Sequence, residues 1–303
     1  MNEEPDGGRP EAAPRWRRWL RWTILFTGIA GLAIVTRQVL SADEDAIPSL
    51  GVAIVAVLLQ GLAGLAASQV WITVLGPGVD ARRARAAMLE SQLSKYVPAG
   101  GMVQALGQVA LTTSETVTMR RSAVAWFSSV VLTVIAGMTL LGGFAAIGAL
   151  DGWVQAIALL GPLSLLLLDR RCLRFVLAVG RRFSTRVPEP TSLPQSRVLM
   201  EGLGWAAAGF VLLATSFMLI LGDLDAGVDS LEVMAAFVAA WLVGFLLVPL
   251  PAGLGAREAV LVALIPGSTT GQLLAASLAQ RLLAFAAEVV LVLGHRALSR
   301  RGR

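Results

Sequence analysis

The chain alternates between long apolar stretches and short charged segments. Two of the apolar stretches are WTILFTGIAGLAIVT (22–36) and AIVAVLLQGLAGLAASQVWITVL (53–75). In an α-helix that rises about 1.5 Å per residue, about 20 apolar residues cross the ~30 Å hydrocarbon layer of a bilayer. The sequence lacks the period-2 alternation of a transmembrane barrel. The pattern therefore predicts an all-α, polytopic membrane protein.

The composition supports a membrane protein and argues against disulfide, zinc and ATP-binding sites. Of 303 residues, 56% are hydrophobic and 15% are charged, whereas soluble domains are about a quarter charged. A single cysteine, Cys172, and a single histidine, His295, exclude an internal disulfide and leave no zinc cluster. The sequence has no G-x-x-x-x-G-K-[ST] motif for ATP, and we expect no cofactor. The net charge of +5 comes from arginines between apolar stretches, a pattern that favours membrane orientation over nucleic-acid binding.

The basic segments predict how the chain is oriented, because cytoplasmic loops of membrane proteins are rich in Arg and Lys. We expect both termini in the cytoplasm and the protein in the cell (inner) membrane. The predicted division is a basic N-terminal segment (1–18), a first membrane half (19–149), a fourth span that opens the second half (150–168), a basic linker (169–199), the rest of the second half (200–294) and a basic tail (295–303).

Two stretches begin and end on one side of the membrane, so each crosses it an even number of times. The first, 86–119, lies between cytoplasmic arginines and is too short and too polar for two spans. The second, 232–270, begins and ends on the outer side. Both carry a similar break, VPAGG at 97–101 and LPAGLG at 250–255. We therefore expect two broken, re-entrant helical hairpins in addition to about six full spans.

These hairpins give the two halves of the chain, 15–149 and 153–295, inverted topology. Transporters with inverted repeats and interrupted helices bind their substrate near mid-bilayer, where the two halves meet. The alternative is coincidence, because the shared string is short and Pro and Gly are common in membrane helices.

The second break has the chemistry of an anion site. Pro251 stops a helix, Gly253 and Gly255 allow turn conformations, and a new helix is predicted to begin near Ala256. The N–H groups at a helix start carry partial positive charge, and Arg257 adds a full one. This arrangement suits a lipid phosphate.

Three more charged residues fall inside predicted membrane helices. Glu258 lies about 100° round the helix from Arg257, so the two side chains do not simply pair. Arg281 is too deep in the last span to reach water easily, and Glu288 follows seven residues later on the same stripe. A central charge costs about 2.5–3.5 kcal/mol, so such residues normally face the protein interior and mark substrate or ion paths. The alternative is an internal ion pair, Arg257 or Arg281 with Glu258 or Glu288, that only fixes helix packing.

Two of these strings resemble a known family. PLPAGLGAREA (249–259) is similar to the P-x-P-G-G-L-G-x-R-E-A signature of the flippase-like transmembrane domain of lysylphosphatidylglycerol synthetases. SKYVPAGG (94–101) is similar to the K-Y-x-P-G-G element of that family, which also has an arginine in its final helix, here Arg281. The resemblance runs over nearly the whole chain.

The resemblance implies a lipid-binding site and a function in lipid movement. The residues it assigns to the site are Pro251, Gly253, Gly255, Arg257 and Glu258, with Lys95, Tyr96, Pro98, Gly100 and Gly101 as their counterpart and Arg281 nearby. It implies movement of a phospholipid or a polyprenyl-phosphate-linked lipid between leaflets. The chain looks like a stand-alone member without the soluble aminoacyl-transferase domain, so lysyl transfer is not expected.

We therefore expect a membrane lipid flippase, not an enzyme, with a membrane lipid as substrate and Glu258 as a candidate proton-coupling group. A separately encoded lipid synthetase or glycosyltransferase is the expected class of protein partner, and a homo-oligomer stays open. The alternative function is a non-transporting scaffold for such an enzyme, in which the buried charges are structural. An embedded enzyme acting on a lipid phosphate is disfavoured by the single histidine and the lack of a carboxylate cluster.

We predict that cysteines replacing Asp43 and Asp225 react with a membrane-impermeant thiol reagent outside the cell, because both lie in acidic external loops. A cysteine replacing Thr185, in the basic linker, should react only after permeabilisation. The measurement is gel-shift labelling of chains in which Cys172 is replaced by serine. Labelling of position 185 from outside would disprove the inverted repeat.

Overall fold

The computed structural model describes the residue ranges 47–96, 100–114, 116–183, 194–224, 227–246 and 255–301. All regular elements within these ranges are helices. The first predicted span lies outside the described residues, as do the break residues Pro98, Pro251 and Gly253.

The α-helices of the described ranges are, in chain order, α1 (Leu50–Leu75), α2 (Ala81–Gln92), α3 (Gly100–Thr112), α4 (Met119–Ala146), α5 (Gly152–Ala158), α6 (Arg170–Phe183), α7 (Ser196–Leu224), α8 (Ser230–Leu246), α9 (Ala256–Leu264) and α10 (Thr270–Arg301). Two 3₁₀-helices accompany them, Leu93–Tyr96 after α2 and Gly161–Leu168 after α5.

Four of these helices, α1, α4, α7 and α10, are long and apolar enough to cross a membrane. Two shorter apolar segments are Gly152–Leu168 and Ser230–Leu246. The helical architecture and the four long apolar helices confirm the prediction of a helical membrane protein. The number of spans and the inverted repeat stay predictions.

The centre of the bundle is the contact between α1 and α7. A Cβ added to Gly209 of α7 would lie 3.8 Å from the carbonyl oxygen of Ala63 and 3.8 Å from the side chain of Ala66, both in α1. Small residues at this seam allow the two backbones to approach closely. Trp71 and Phe217, one from each helix, are almost completely buried in the same core. Helix packing here therefore depends on small residues in the seam and large aromatic residues beside it.

A buried polar cluster joins α10 to this centre. Gln280 Oε1 accepts hydrogen bonds from Ser216 Oγ at 3.1 Å and from Gln60 Nε2 at 3.5 Å. Gln280 Nε2 donates to the carbonyl oxygen of Leu213 at 3.3 Å. Since a buried amide without partners is costly, these bonds hold α10 at one rotation about its axis. That rotation also sets where the neighbouring Arg281 side chain points.

The fourth predicted span, 150–168, consists of two helical pieces. α5 ends at Ala158, and the following 3₁₀-helix begins at Gly161 with Pro162 in its first turn. Proline has no N–H to donate and its ring clashes with the preceding turn, so an α-helix ends before it. A Cβ on Gly161 would lie 2.0 Å from the carbonyl oxygen of Met138 in α4. The approach of this segment to α4 therefore requires glycine.

Each predicted break separates two helices that pack against each other. Helices α2 and α3 lie on either side of the first break, and α8 and α9 on either side of the second. α8 ends at Leu246 and α9 begins at Ala256, which confirms the predicted helix start near Ala256. The entry of the two hairpins from opposite faces of the membrane stays a prediction.

We predict that Gly161→Ala lowers the stability of the folded protein by about 1–3 kcal/mol, the usual cost of forcing extra volume into a packed contact. The matched control is Gly143→Ala, because a Cβ at that position meets open space. Thermal unfolding in detergent, read by fluorescence-detected size exclusion, measures both variants. Equal melting temperatures would contradict the close contact between α4 and the 3₁₀-helix.

Candidate functional site

The start of α9 positions Glu258 at the second break. Gly255, the residue before α9, has a φ of +83°, which glycine adopts without the steric cost of a Cβ. Its N–H donates to Glu258 Oε2 at 2.7 Å. This is one arm of a capping box, in which the third helical residue turns back toward the helix start. The local sequence therefore orients the carboxylate before any distant contact is made.

The other oxygen of Glu258 binds α10. Glu258 Oε1 accepts from Arg281 Nη2 at 2.8 Å and from Ser277 Oγ at 2.7 Å. Ser277 and Arg281 are four residues apart, so both side chains face α9 from one side of α10. The Arg281 and Glu258 side chains are only 8% and 15% exposed. A buried ion pair thus joins the short helix after the break to the last long helix, as the ion-pair interpretation predicts.

Arg281 keeps a donor without a partner among the described residues. Its Nε is buried and makes no hydrogen bond there. A guanidinium carries five N–H donors, and a buried donor without an acceptor costs free energy. Arg281 therefore has capacity for a further acceptor, such as a phosphate oxygen, in addition to Glu258.

Arg257 and Glu258 point to different helices. The guanidinium carbon of Arg257 lies 5.4 Å from the ring centroid of Phe237 in α8, within the range of a cation–π interaction. Glu258 instead contacts α10. The offset of about 100° between consecutive helical residues produces this separation, as expected from the sequence.

Glu288 is paired with Lys95 of the first broken segment. Lys95 Nζ contacts Glu288 Oε1 directly and also donates to Gln92 Oε1 at 3.3 Å. The Glu288 side chain is 13% exposed, and its Oε2 is buried without a hydrogen-bond partner among the described residues. The ion-pair alternative drawn from the sequence paired Arg257 or Arg281 with Glu258 or Glu288. The structure pairs Glu288 with a lysine instead, because the fold brings the 3₁₀-helix Leu93–Tyr96 against α10.

A third ion pair, between α2 and α10, was not predicted. Glu90 Oε1 accepts from Arg296 Nη2 at 2.9 Å and from Arg296 Nε at 3.1 Å. The two residues are 206 positions apart in the chain. Opposite charge is the only signal that the sequence offers for this contact, and many other pairs of residues share it.

The three ion pairs follow one another along α10. Its members Arg281, Glu288 and Arg296 are seven and eight residues apart, which corresponds to about 10 and 12 Å along the axis. Their charges alternate in sign, and their partners belong to α9, to the 3₁₀-helix Leu93–Tyr96 and to α2. Ion pairs therefore attach both broken segments to the same helix.

The residues predicted from the sequence fall into two clusters and a remainder. The first cluster contains Gly255, Glu258 and Arg281, and the second contains Lys95 and Glu288. Among the others, Arg257 contacts Phe237, Tyr96 is the last residue of the 3₁₀-helix, and Gly100 and Gly101 begin α3. Pro98, Pro251 and Gly253 lie outside the described residues.

Comparison with models of known protein families finds no match, and no curated protein matches the chain. Within the part of the chain that the structure describes, no group of three or more His, Cys, Asp or Glu residues could hold a metal ion. The charged chemistry that the described residues bring together lies along α10.

We predict that Glu258→Gln lowers the free energy of unfolding by about 3 kcal/mol, because it leaves the buried Arg281 charge without its counter-ion. Glutamine can still accept the N–H of Gly255 at the helix cap. The double variant Glu258→Gln with Arg281→Met removes both charges and should recover most of that loss. Thermal unfolding in detergent measures the three proteins.

A double variant that is as unstable as the single one would contradict this account. It would mean that the contact stabilises the fold through hydrogen bonding or shape and not through balanced charge.

Proposed function

We propose that this protein moves a phosphate-bearing membrane lipid between the leaflets of a bilayer. The observation that carries the proposal is Arg281: a positive charge buried in a long apolar helix, with one donor on Glu258 and another donor, Nε, that has no partner among the described residues. Charges at such depth are costly and normally serve substrate or ion paths. A lipid phosphate supplies the missing acceptor and a negative charge that can take the place of Glu258.

Binding of the phosphate begins at the unpartnered Nε of Arg281 and continues by exchange at the Glu258 pair. A phosphate oxygen competes with Glu258 for the guanidinium, and arginine binds phosphates well because its planar donors match their oxygens. The released carboxylate keeps two neutral donors, Ser277 Oγ and the Gly255 N–H. Neither charge is then left in an apolar environment without hydrogen bonds, so the exchange avoids the largest desolvation cost.

The second cluster supplies the complementary charge for a zwitterionic headgroup. Glu288 lies about 10 Å from Arg281 along α10, and its unpartnered Oε2 can accept from an ammonium group. Lys95, its present partner, also has Gln92 as an acceptor. The alternating signs along α10 therefore fit a headgroup that carries both a phosphate and an amine.

The resemblance to the lysylphosphatidylglycerol synthetase flippase domain supports the same substrate class, because its motif includes Arg257, Glu258 and Lys95. The chain carries no ATP-binding motif. We therefore propose that a gradient, the membrane potential or consumption of the lipid downstream drives net movement, with Glu258 as the candidate proton-coupling group.

The rival function is a membrane scaffold for a lipid-modifying enzyme or a glycosyltransferase. The observation that favours it is that Glu258 and Arg281 already neutralise each other. In a scaffold, the pair would serve only to attach α9 to α10, and neither the wild type nor a folded variant without the pair would move lipid.

We predict that wild-type protein in proteoliposomes changes the leaflet exposure of labelled phospholipids or of a labelled polyprenyl phosphate. The double variant Glu258→Gln with Arg281→Met should move the same lipid at least tenfold more slowly. The matched control is Glu90→Gln with Arg296→Met, which removes another ion pair of α10. It should retain the wild-type rate.

Wild-type protein that leaves every probe in its original leaflet would overturn the proposal. A folded double variant that moves lipid at the wild-type rate would instead assign the Glu258 pair a purely structural role.

A further inference from the structure

α6 begins where an apolar segment ends. The 3₁₀-helix Gly161–Leu168, with the sequence GPLSLLLL, precedes it, and only Asp169 separates the two. Asp169 Oδ1 accepts the N–H of Arg171 at 2.6 Å and so caps the start of α6. The chain therefore passes directly from an apolar helix into α6.

One face of α6 carries exposed apolar residues. Cys172, Phe175 and Val179 fall within an arc of about 60° at 100° per residue, and all three are exposed. Phe175 is the largest of them, with 69% of its surface exposed. An aromatic side chain with this exposure gains free energy from any apolar surface that covers it.

The adjoining face of α6 is basic. Arg171, Arg174 and Arg182 fall within an arc of about 80°, and all three are exposed. The helix sequence RRCLRFVLAVGRRF contains five arginines and no acidic residue. Arginine forms bidentate hydrogen bonds with phosphate groups, so this face is complementary to a layer of anionic headgroups.

We infer that α6 lies flat in the membrane interface, with its apolar face among the acyl chains and its arginines bound to the phosphates of anionic phospholipids. An amphipathic helix with basic residues on its polar face has the composition of interfacial helices. Each basic residue near an anionic surface strengthens binding by roughly fivefold. Because α6 directly follows an apolar segment, the surface that its apolar face contacts is the bilayer in which the protein is embedded. This binding surface is separate from the proposed translocation site on α10.

The single cysteine of the chain provides the probe, because Cys172 lies on the apolar face. The full chain, labelled at Cys172 with an environment-sensitive fluorophore, is placed in nanodiscs of phosphatidylcholine and phosphatidylglycerol. Fluorescence is quenched by a nitroxide carried on either lipid at equal mole fraction, or by iodide in water. We expect strong quenching by both lipid nitroxides and weak quenching by iodide. Quenching by the phosphatidylglycerol nitroxide should be at least twofold stronger than quenching by the phosphatidylcholine nitroxide.

Two triple variants separate charge from helix position. Replacement of Arg171, Arg174 and Arg182 by glutamine should abolish the preference for the phosphatidylglycerol nitroxide, whereas their replacement by lysine should retain it. Equal quenching by the two lipid nitroxides in the wild type would overturn the anionic-lipid assignment. Strong iodide quenching would show that the face meets water, and protection from all three quenchers would show that protein covers it. Either result would overturn the inference, and none of these measurements depends on lipid translocation.

Discussion

The contact between Glu258 and Arg281 is the interaction on which the organisation around the second break depends. α9 has only nine residues, and a helix this short is marginal by itself. Its carboxylate is held at the helix cap by Gly255 and reaches α10 through Ser277 and Arg281. Because the pair is buried, removal of one partner leaves an unpaired charge, which is the costly state. The ion pair between Glu258 and Arg281 therefore stabilises the short helix that begins after the break.

This arrangement couples stability to the proposed chemistry. A buried charge pair whose members are completely hydrogen-bonded has no donor or acceptor left for a ligand. Arg281 Nε and Glu288 Oε2 instead lack partners within the described residues, and a donor and an acceptor of opposite charge thus lie on one helix, about 10 Å apart. The free energy lost by leaving them unpartnered is recovered when a ligand supplies the missing groups. A zwitterionic lipid headgroup has both.

α10 connects otherwise separate parts of the fold. Gln280 binds Gln60 and Ser216 at the centre of the bundle, while the charged residues that follow bind α9, the 3₁₀-helix Leu93–Tyr96 and α2. Both broken segments therefore share one helix as their electrostatic partner. A movement of either segment would have to exchange these contacts, so under the proposed function α10 is where a change in conformation would be linked to a headgroup.

The sequence by itself determined the helical membrane class, the helix start near Ala256 and the separation of Arg257 from Glu258. These features depend on the spacing of apolar residues, the positions of prolines and the angle between successive helical residues, all of which are local. Only the tertiary structure decided which charges pair. Lys95 with Glu288 and Glu90 with Arg296 join positions about two hundred residues apart, and charge alone does not distinguish them from other combinations. The split of the fourth segment into two pieces likewise involves the contact of Gly161 with the Met138 carbonyl. Local interactions thus determine where the helices lie in the sequence, whereas tertiary packing determines which side chains pair.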